Sequence, residues 1–181
     1  MIKAMRTAIT ENTDKGIQIR HAGRDDIYSV AAFLHECWQA EYRRIITDDF
    51  LDAMSVGERH KGLLGRYDEG TSEFLLMFDG DLLIGASVFG KSFTDGYRDD
   101  GEISAIYLHH DYIGKGYGHR LFARVEQALA AKGYAWLVLD LLEGNARALR
   151  FYLAHGYVAV DSRKIRLGGI DYPLAVLRKG V

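Results

Sequence analysis

Gly114, Gly116 and Gly118 stand at alternate positions in the run GKGYG, between a predicted strand and a predicted helix. The first turn of a helix carries N–H groups without intrahelical acceptors, and it is the positive end of the helix dipole. Glycine lets a backbone approach an anion with no Cβ in the way. The segment therefore suits a phosphate or pyrophosphate. A glycine-rich turn that holds no ligand is the plainer alternative. Two nucleotide patterns fit poorly. The P-loop needs Gly-Lys-Ser/Thr after a glycine five residues back, which is absent here. The dinucleotide fingerprint is G-x-G-x-x-G near a first strand, whereas this run is G-x-G-x-G and comes late in the chain.

Other chemistry-bearing residues are fewer. Cys37 is the one cysteine, and it falls in a predicted helix, where a buried structural thiol is the ordinary reading. The seven histidines show no metal-like spacing on a predicted helix. His109 and His110 are adjacent, and neighbouring strand residues point to opposite faces, so they make a poor ligand pair. We expect no metal.

The elements that must position these residues follow from periodicity. Alternation in IQIRHA from Ile17 predicts a first strand. Ile27, Val30, Ala31, Leu34 and Trp38 recur at helical spacing, so a helix is expected over about 24–42. A second helical stretch covers about 47–69, with a break expected near Gly57. Residues 74–78 and 82–90 read as a hairpin around Asp79-Gly80-Asp81. Residues 102–109 form the strand before the glycine loop, and a helix follows over about 117–132, stopped by Gly133. WLVLDLL (136–142) is nearly continuous in apolar residues, as a strand buried on both faces would be. A short helix over 145–155 and a final antiparallel pair, 157–167 and 171–179, complete the chain. Residues 1–16 are polar and aperiodic, and a poorly ordered arm is expected there, with one domain over 17–181.

Bulk composition excludes several classes. The chain has 181 residues, 48% of them hydrophobic and 27% charged, which suits a globular core. Its net charge of −2 lacks the basic footprint of a nucleic-acid binder. A single cysteine rules out an internal disulfide framework. No apolar run approaches a membrane span, and the N-terminus has no apolar core of a signal peptide. These features predict a cytoplasmic protein that binds neither nucleic acid nor membrane.

Two segments in order then carry a resemblance. YIGKGYGHRLF looks like the acetyl-CoA pyrophosphate motif Arg/Gln-x-x-Gly-x-Gly/Ala, with Gly116 and Gly118 at its glycine positions. NARALRFYLAHGYV looks like a second signature, matched at Asn145, Phe151, Tyr152, Gly156 and Tyr157. On these motifs the chain resembles the GNAT family of N-acetyltransferases over about 17–178. One position departs: Ile113 stands where the family has Arg or Gln. Backbone amides of 114–119 and the charge of Lys115 remain for the pyrophosphate.

The resemblance implies an α/β (α+β) fold, with one mixed, mainly antiparallel central sheet of about seven strands and helices on both faces. It implies direct acetyl transfer from acetyl-CoA to a primary amine, of a small molecule or alternatively of a protein or peptide. Glu102 matches a family glutamate that serves as general base, often through water; a solvated strand-edge residue beside Asp99 and Asp100 is its alternative. Tyr152 matches the tyrosine that protonates the departing thiolate; a buried aromatic beside Leu149 and Leu153 is its alternative. Ile106, Tyr107 and Leu108 fall at the strand end whose backbone pairs with pantetheine. Ile113, Gly114, Lys115, Gly116, Tyr117, Gly118 and His119 make up the pyrophosphate loop. Asn145 either contacts the cofactor arm or caps its helix. The first two helices should cover the acceptor side, where Trp38 and Tyr42 lie with Glu41, Asp48 and Asp49. Aromatics with carboxylates suit a cationic amine, but a core tryptophan and a solvated acidic face are favoured there. The last two strands could pair across a homodimer. A non-catalytic acyl-CoA sensor is the reading from another class, hinted at by Ile113 alone.

Overall fold

The computed structural model describes residues 16–181, so the expected N-terminal arm lies outside the described residues except for Gly16. The order of elements is β1 (Ile17–His21), α1 (Ile27–Glu41), α2 (Asp48–Ala53), α3 (Val56–Asp68), β2 (Ser72–Asp79), β3 (Leu82–Lys91), β4 (Gly101–Leu108), α4 (Tyr117–Ala131), β5 (Trp136–Leu142), α5 (Ala146–Ala154), β6 (Val158–Leu167) and β7 (Ile170–Gly180). Short 3-10 turns precede α1 and follow β4.

Amphipathic spacing explains the helices. Ile27, Val30, Ala31 and Leu34 of α1 are buried on one stripe, and Leu121, Phe122, Val125 and Leu129 form the matching stripe of α4. Gly133 closes α4 in the left-handed region at φ 89°. The helical stretch over 47–69, expected to break near Gly57, is two helices. The break comes at Met54-Ser55, before Gly57, because Met54 is extended and the Ser55 Oγ accepts from the Glu58 N–H at 3.4 Å. A serine cap restarts the chain there. Gly57 lies in the first turn of α3, where its N–H has no intrahelical acceptor to lose.

The seven strands form one sheet in the order β1-β2-β3-β4-β5-β7-β6. All neighbours are antiparallel except β4 and β5, which run parallel. The expected mixed, mainly antiparallel sheet is thus what the chain forms. α1 and α3 pack on one face against Phe74, Leu76, Ala86 and Val88. α4 and α5 pack on the other, around Leu75, Met77, Ile103, Leu137 and Leu139.

One feature of the sheet makes the site. β4 and β5 pair only at Gly101↔Leu137 and Glu102↔Val138. Gly101 permits that close approach, since a Cβ there would sit 3.0 Å from Leu129, Leu137 and Tyr134. Beyond Glu102 no ladder joins the two strands, and the sheet opens between them.

Candidate active site

The opening holds a cavity of about 520 Å³. Ile106, Tyr107 and Leu108 of β4 form one wall, and Ile113, Gly114, Gly116, Gly118 and His119 form the end. Asn145, Ala148, Phe151 and Tyr152, from α5 and its cap, close the opposite side. Ten of the sequence-predicted residues therefore meet in one place. Lys115 and Tyr117 do not line this cavity: the Lys115 ammonium lies 5.4 Å from the Tyr112 ring centre, and Tyr117 packs against Tyr112. Glu102 is not on its wall either. It lies four residues back along β4 from Ile106, roughly 13 Å for an extended chain.

The glycine loop has the shape an anion needs. Gly114 and Gly116 have φ of 78° and 87°, and no atom lies within 4 Å of a Cβ built on either. Their backbone conformation, more than lack of space, demands glycine there. Gly116 is the N-cap of α4, and the first intrahelical bond runs from the Arg120 N–H to the Gly116 carbonyl at 3.4 Å. The N–H groups of 117–119 are consequently left without intrahelical acceptors at the cavity's end. Gly118 has ordinary helical backbone, and a Cβ there would meet Leu108 and Phe151 at 3.5 and 3.6 Å. The apolar Ile113 side chain adds no charge, so backbone dipoles supply the anion contacts. A coenzyme A pyrophosphate fits this cradle.

His119 has a built neighbourhood. The His155 Nδ1–H donates to the Phe151 carbonyl at 2.7 Å, so the His155 Nε2 is free to accept from the His119 Nδ1–H at 3.1 Å. The two rings stack with centres 4.9 Å apart.

Tyr152 is 9% exposed, and its hydroxyl has no hydrogen-bond partner among the described residues. Burial, then the neighbouring Tyr42, pushes its phenol well above the ordinary tyrosine range. It is a proton donor at any physiological pH. Asn145 does both things expected of it: its Oδ1 accepts from the Ala148 N–H at 3.1 Å as a cap, and its side chain lines the cavity.

Glu102 is a held carboxylate. Its Oε2 accepts from the Phe93 N–H at 2.8 Å, the Ser92 Oγ at 3.2 Å and the Thr94 Oγ1 at 3.3 Å. Its Oε1 accepts from the Ser104 Oγ at 2.7 Å, and the Arg66 guanidinium in turn donates to Ser104 at 2.9 Å. One lone pair on Oε1 stays open to solvent or an acceptor.

Several other readings meet their outcome here. The Cys37 thiol lies 3.9 Å from the Leu108 carbonyl, and burial, with Glu41 and Glu36 nearby, pushes it up to about 12. Such a thiol is no nucleophile at neutral pH. His109 and His110 do not point to opposite faces as expected, because β4 ends at Leu108 and both lie in the following turn. Their rings lie 4.2 Å apart, and with Asp111 they bring donor atoms within 4.8 Å of one another on the surface.

Trp38 packs in the core against Tyr42, as favoured, but Glu41 does not belong to a solvated face. It lines the cavity and pairs with Arg147 across its mouth at 2.5 Å. Nothing in the sequence marks Arg147 as its partner. The Tyr42–Tyr107 hydroxyl contact at 2.9 Å was likewise not legible.

Comparison with known proteins agrees with this geometry. The sequence model of the family described as "Acetyltransferase (GNAT) family" matches residues 27–157. An uncharacterized N-acetyltransferase of Bacillus subtilis (strain 168), YuaI, is 26% identical over 156 residues, covering 85% of this chain and 87% of its own. The crystal structure of a PaiA N-acetyltransferase from Thermoplasma acidophilum in complex with coenzyme A superposes with a TM-score of 0.74 at 22% identity, over 91% of this chain and 99% of that one. YncA of Salmonella typhimurium, a putative acetyltransferase solved with acetyl-CoA, gives a TM-score of 0.68 at 20% identity, over 91% of this chain and 94% of its own.

Proposed function

Because this chain belongs to the GNAT acetyltransferase family, we propose that it moves the acetyl group of acetyl-CoA to the primary amine of a small molecule. Acetyl-CoA, when bound, supplies the acetyl group as a reactive thioester. The chain's part is to hold it, to orient an amine and to move two protons.

Main-chain groups of Ile106, Tyr107 and Leu108 have no strand partner on the β5 side, so they are available to the pantetheine arm. The glycine loop and the first turn of α4 take the pyrophosphate, and His119 lies beside it. Tyr152 Oη carries the proton that the leaving sulfur needs. A lysine-like ammonium has a pKa of about 10.4 and must lose a proton before it can attack. Glu102 takes that proton through water, from the open lone pair on Oε1.

The observation that favours a small acceptor is contact between the segments flanking the cleft. The Thr47 N–H donates to the Tyr172 hydroxyl at 3.1 Å, and Phe50 lies 3.1 Å from the position a Cβ would take on Gly168 in the β6–β7 turn. A protein or peptide amine, the alternative acceptor, needs an open groove between these segments. Here they touch.

Calorimetry of acetyl-CoA on wild type and Gly118→Trp tests the core of this reading. Gly118 is the better site than Gly116, whose φ of 87° would strain any side chain. Its Cβ direction, between Leu108 and Phe151, leads into the cavity. Wild type should bind and the folded variant should not. A panel of small amines and N-terminal peptides, read by free-thiol release, then decides the acceptor. Faster turnover of peptides than of every small amine would reverse the choice.

A further inference from the structure

We propose that Arg59 anchors an acidic group on the acceptor, so that the preferred substrate is an amine that also carries a carboxylate, as an amino acid does. The proposal rests on the small-amine reading above and narrows it. Arg59 is in the first half of α3, half-buried, with its guanidinium 5.1 Å from the centre of the Trp38 ring. Its Nε is sealed from solvent and has no hydrogen-bond partner. Among the described residues it forms no ion pair, whereas Arg178 pairs with Asp100 and Arg163 with Asp140, and Arg66, which has no acid either, donates to the Ser72 and Ser104 hydroxyls.

A guanidinium taken out of water without an acid is costly. Stacking on tryptophan offsets only part of that cost. Native structures tolerate such a group where a ligand completes it. The surroundings fit a ligand. Arg59 lines a second cavity, of about 320 Å³, between α2 and α3, with Phe50, Met54 and Ser55. The Trp38 ring beneath its guanidinium packs against Tyr42 at 4.8 Å, and the Tyr42 hydroxyl meets that of Tyr107 at 2.9 Å. Tyr107 is part of the acetyl-CoA cavity wall. Arg59 thus stands between this second recess and the wall of the reaction cleft, on the α1–α3 side of the sheet. A planar carboxylate is the group its fork of donors matches best. Glu58 lines the same recess and is the one feature that would favour a cationic acceptor instead.

The test compares the twenty amino acids with their carboxamides as acceptors, on wild type and on Arg59→Met. Wild type should prefer the acids in kcat/KM. In the variant the KM for acids should rise about 10- to 100-fold, as for loss of a hydrogen-bonded charged contact. The carboxamides and acetyl-CoA should be unaffected. The free variant should melt at or above the wild-type temperature, because it no longer buries an unpaired charge. A clearly lower melting temperature would mean that the protein itself satisfies the guanidinium, and would overturn the proposal. So would a wild-type preference for carboxamides or polyamines. If acetyl-CoA binds but no amine is acetylated, the transferase reading fails alone. The Arg59 Nε–H resonance then still decides: it should shift on titration with amino acids and stay put with their carboxamides.

Discussion

In the proposed mechanism Tyr152 and Glu102 would divide the proton chemistry between a buried phenol and a held carboxylate. Removing the phenolic proton donor in Tyr152→Phe should lower kcat about 100-fold, within the usual range for general acid catalysis. The KM for acetyl-CoA should hardly move, because the aromatic ring that lines the cavity remains. The raised phenol gives a sign for pH as well. Its donor form is lost only as pH rises through a value above the ordinary 10, so it should cause no fall in wild-type kcat between pH 7 and 10. An unchanged kcat in Tyr152→Phe would remove Tyr152 from the reaction. Glu102→Gln makes a separate prediction. Its kcat should fall at pH 7 and recover as pH rises toward the acceptor amine's own pKa, where free amine no longer needs a base. A constant deficit across pH would instead mark Glu102 as a brace for the β3–β4 loop.

That loop shows how elements, rather than single residues, set the site. Residues 92–94 donate to Glu102, and the far end of the same loop is tied to β7. Arg178 grips Asp100 with two bonds, 2.6 and 2.9 Å, between the rings of Trp136 and Tyr97. Asp100 is 4% exposed while Arg178 keeps some solvent, so Asp100→Ala should cost about 2 kcal/mol, below the full penalty of a buried broken pair. For a chain of this length that is a melting temperature lower by roughly 4–8 °C. The same variant should lose kcat without losing acetyl-CoA affinity, because the loop that holds Glu102 loosens while the glycine cradle does not. What was legible in the sequence, and what was not, divides along the same line. The glycine loop and the Asn145 cap could be read because their geometry is local, a strand end and a helix start, whereas the α5 tyrosine was read from the resemblance of its motif. Glu41 with Arg147, Tyr42 with Tyr107, and Arg59 beside Trp38 could not, since each joins elements whose relative placement only the finished sheet decides. The break in the 47–69 stretch falls two to three residues before Gly57 for a smaller reason. Gly57 is the stronger helix breaker by propensity, but a serine side chain two residues earlier captured the free N–H.

At the scale of the whole molecule, the tyrosines in and behind the site should set the alkaline limit of stability. Tyr42, Tyr107, Tyr152 and Tyr157 all have phenols pushed up, chiefly by burial, and Cys37 is raised to about 12 from an ordinary 9 for the same first cause. Below about pH 8 these groups are protonated in both folded and unfolded chains and contribute no pH dependence. Above it the unfolded chain releases protons that the folded chain keeps. Stability must then fall as pH rises, and it continues to fall until each folded-state value is passed. Each group contributes a slope of about 1.4 kcal/mol per pH unit, so five together approach roughly 7 above pH 10. Against a typical stability of about 5–15 kcal/mol, unfolding should set in near pH 11–12. Urea midpoints at pH 8, 9, 10 and 11 should stay level at first and then drop steeply. Tyrosinate absorbance from the four buried phenols should appear together with loss of the fold. Smooth ionisation near pH 10 with the fold intact would mean that these phenols are open to water in the folded chain.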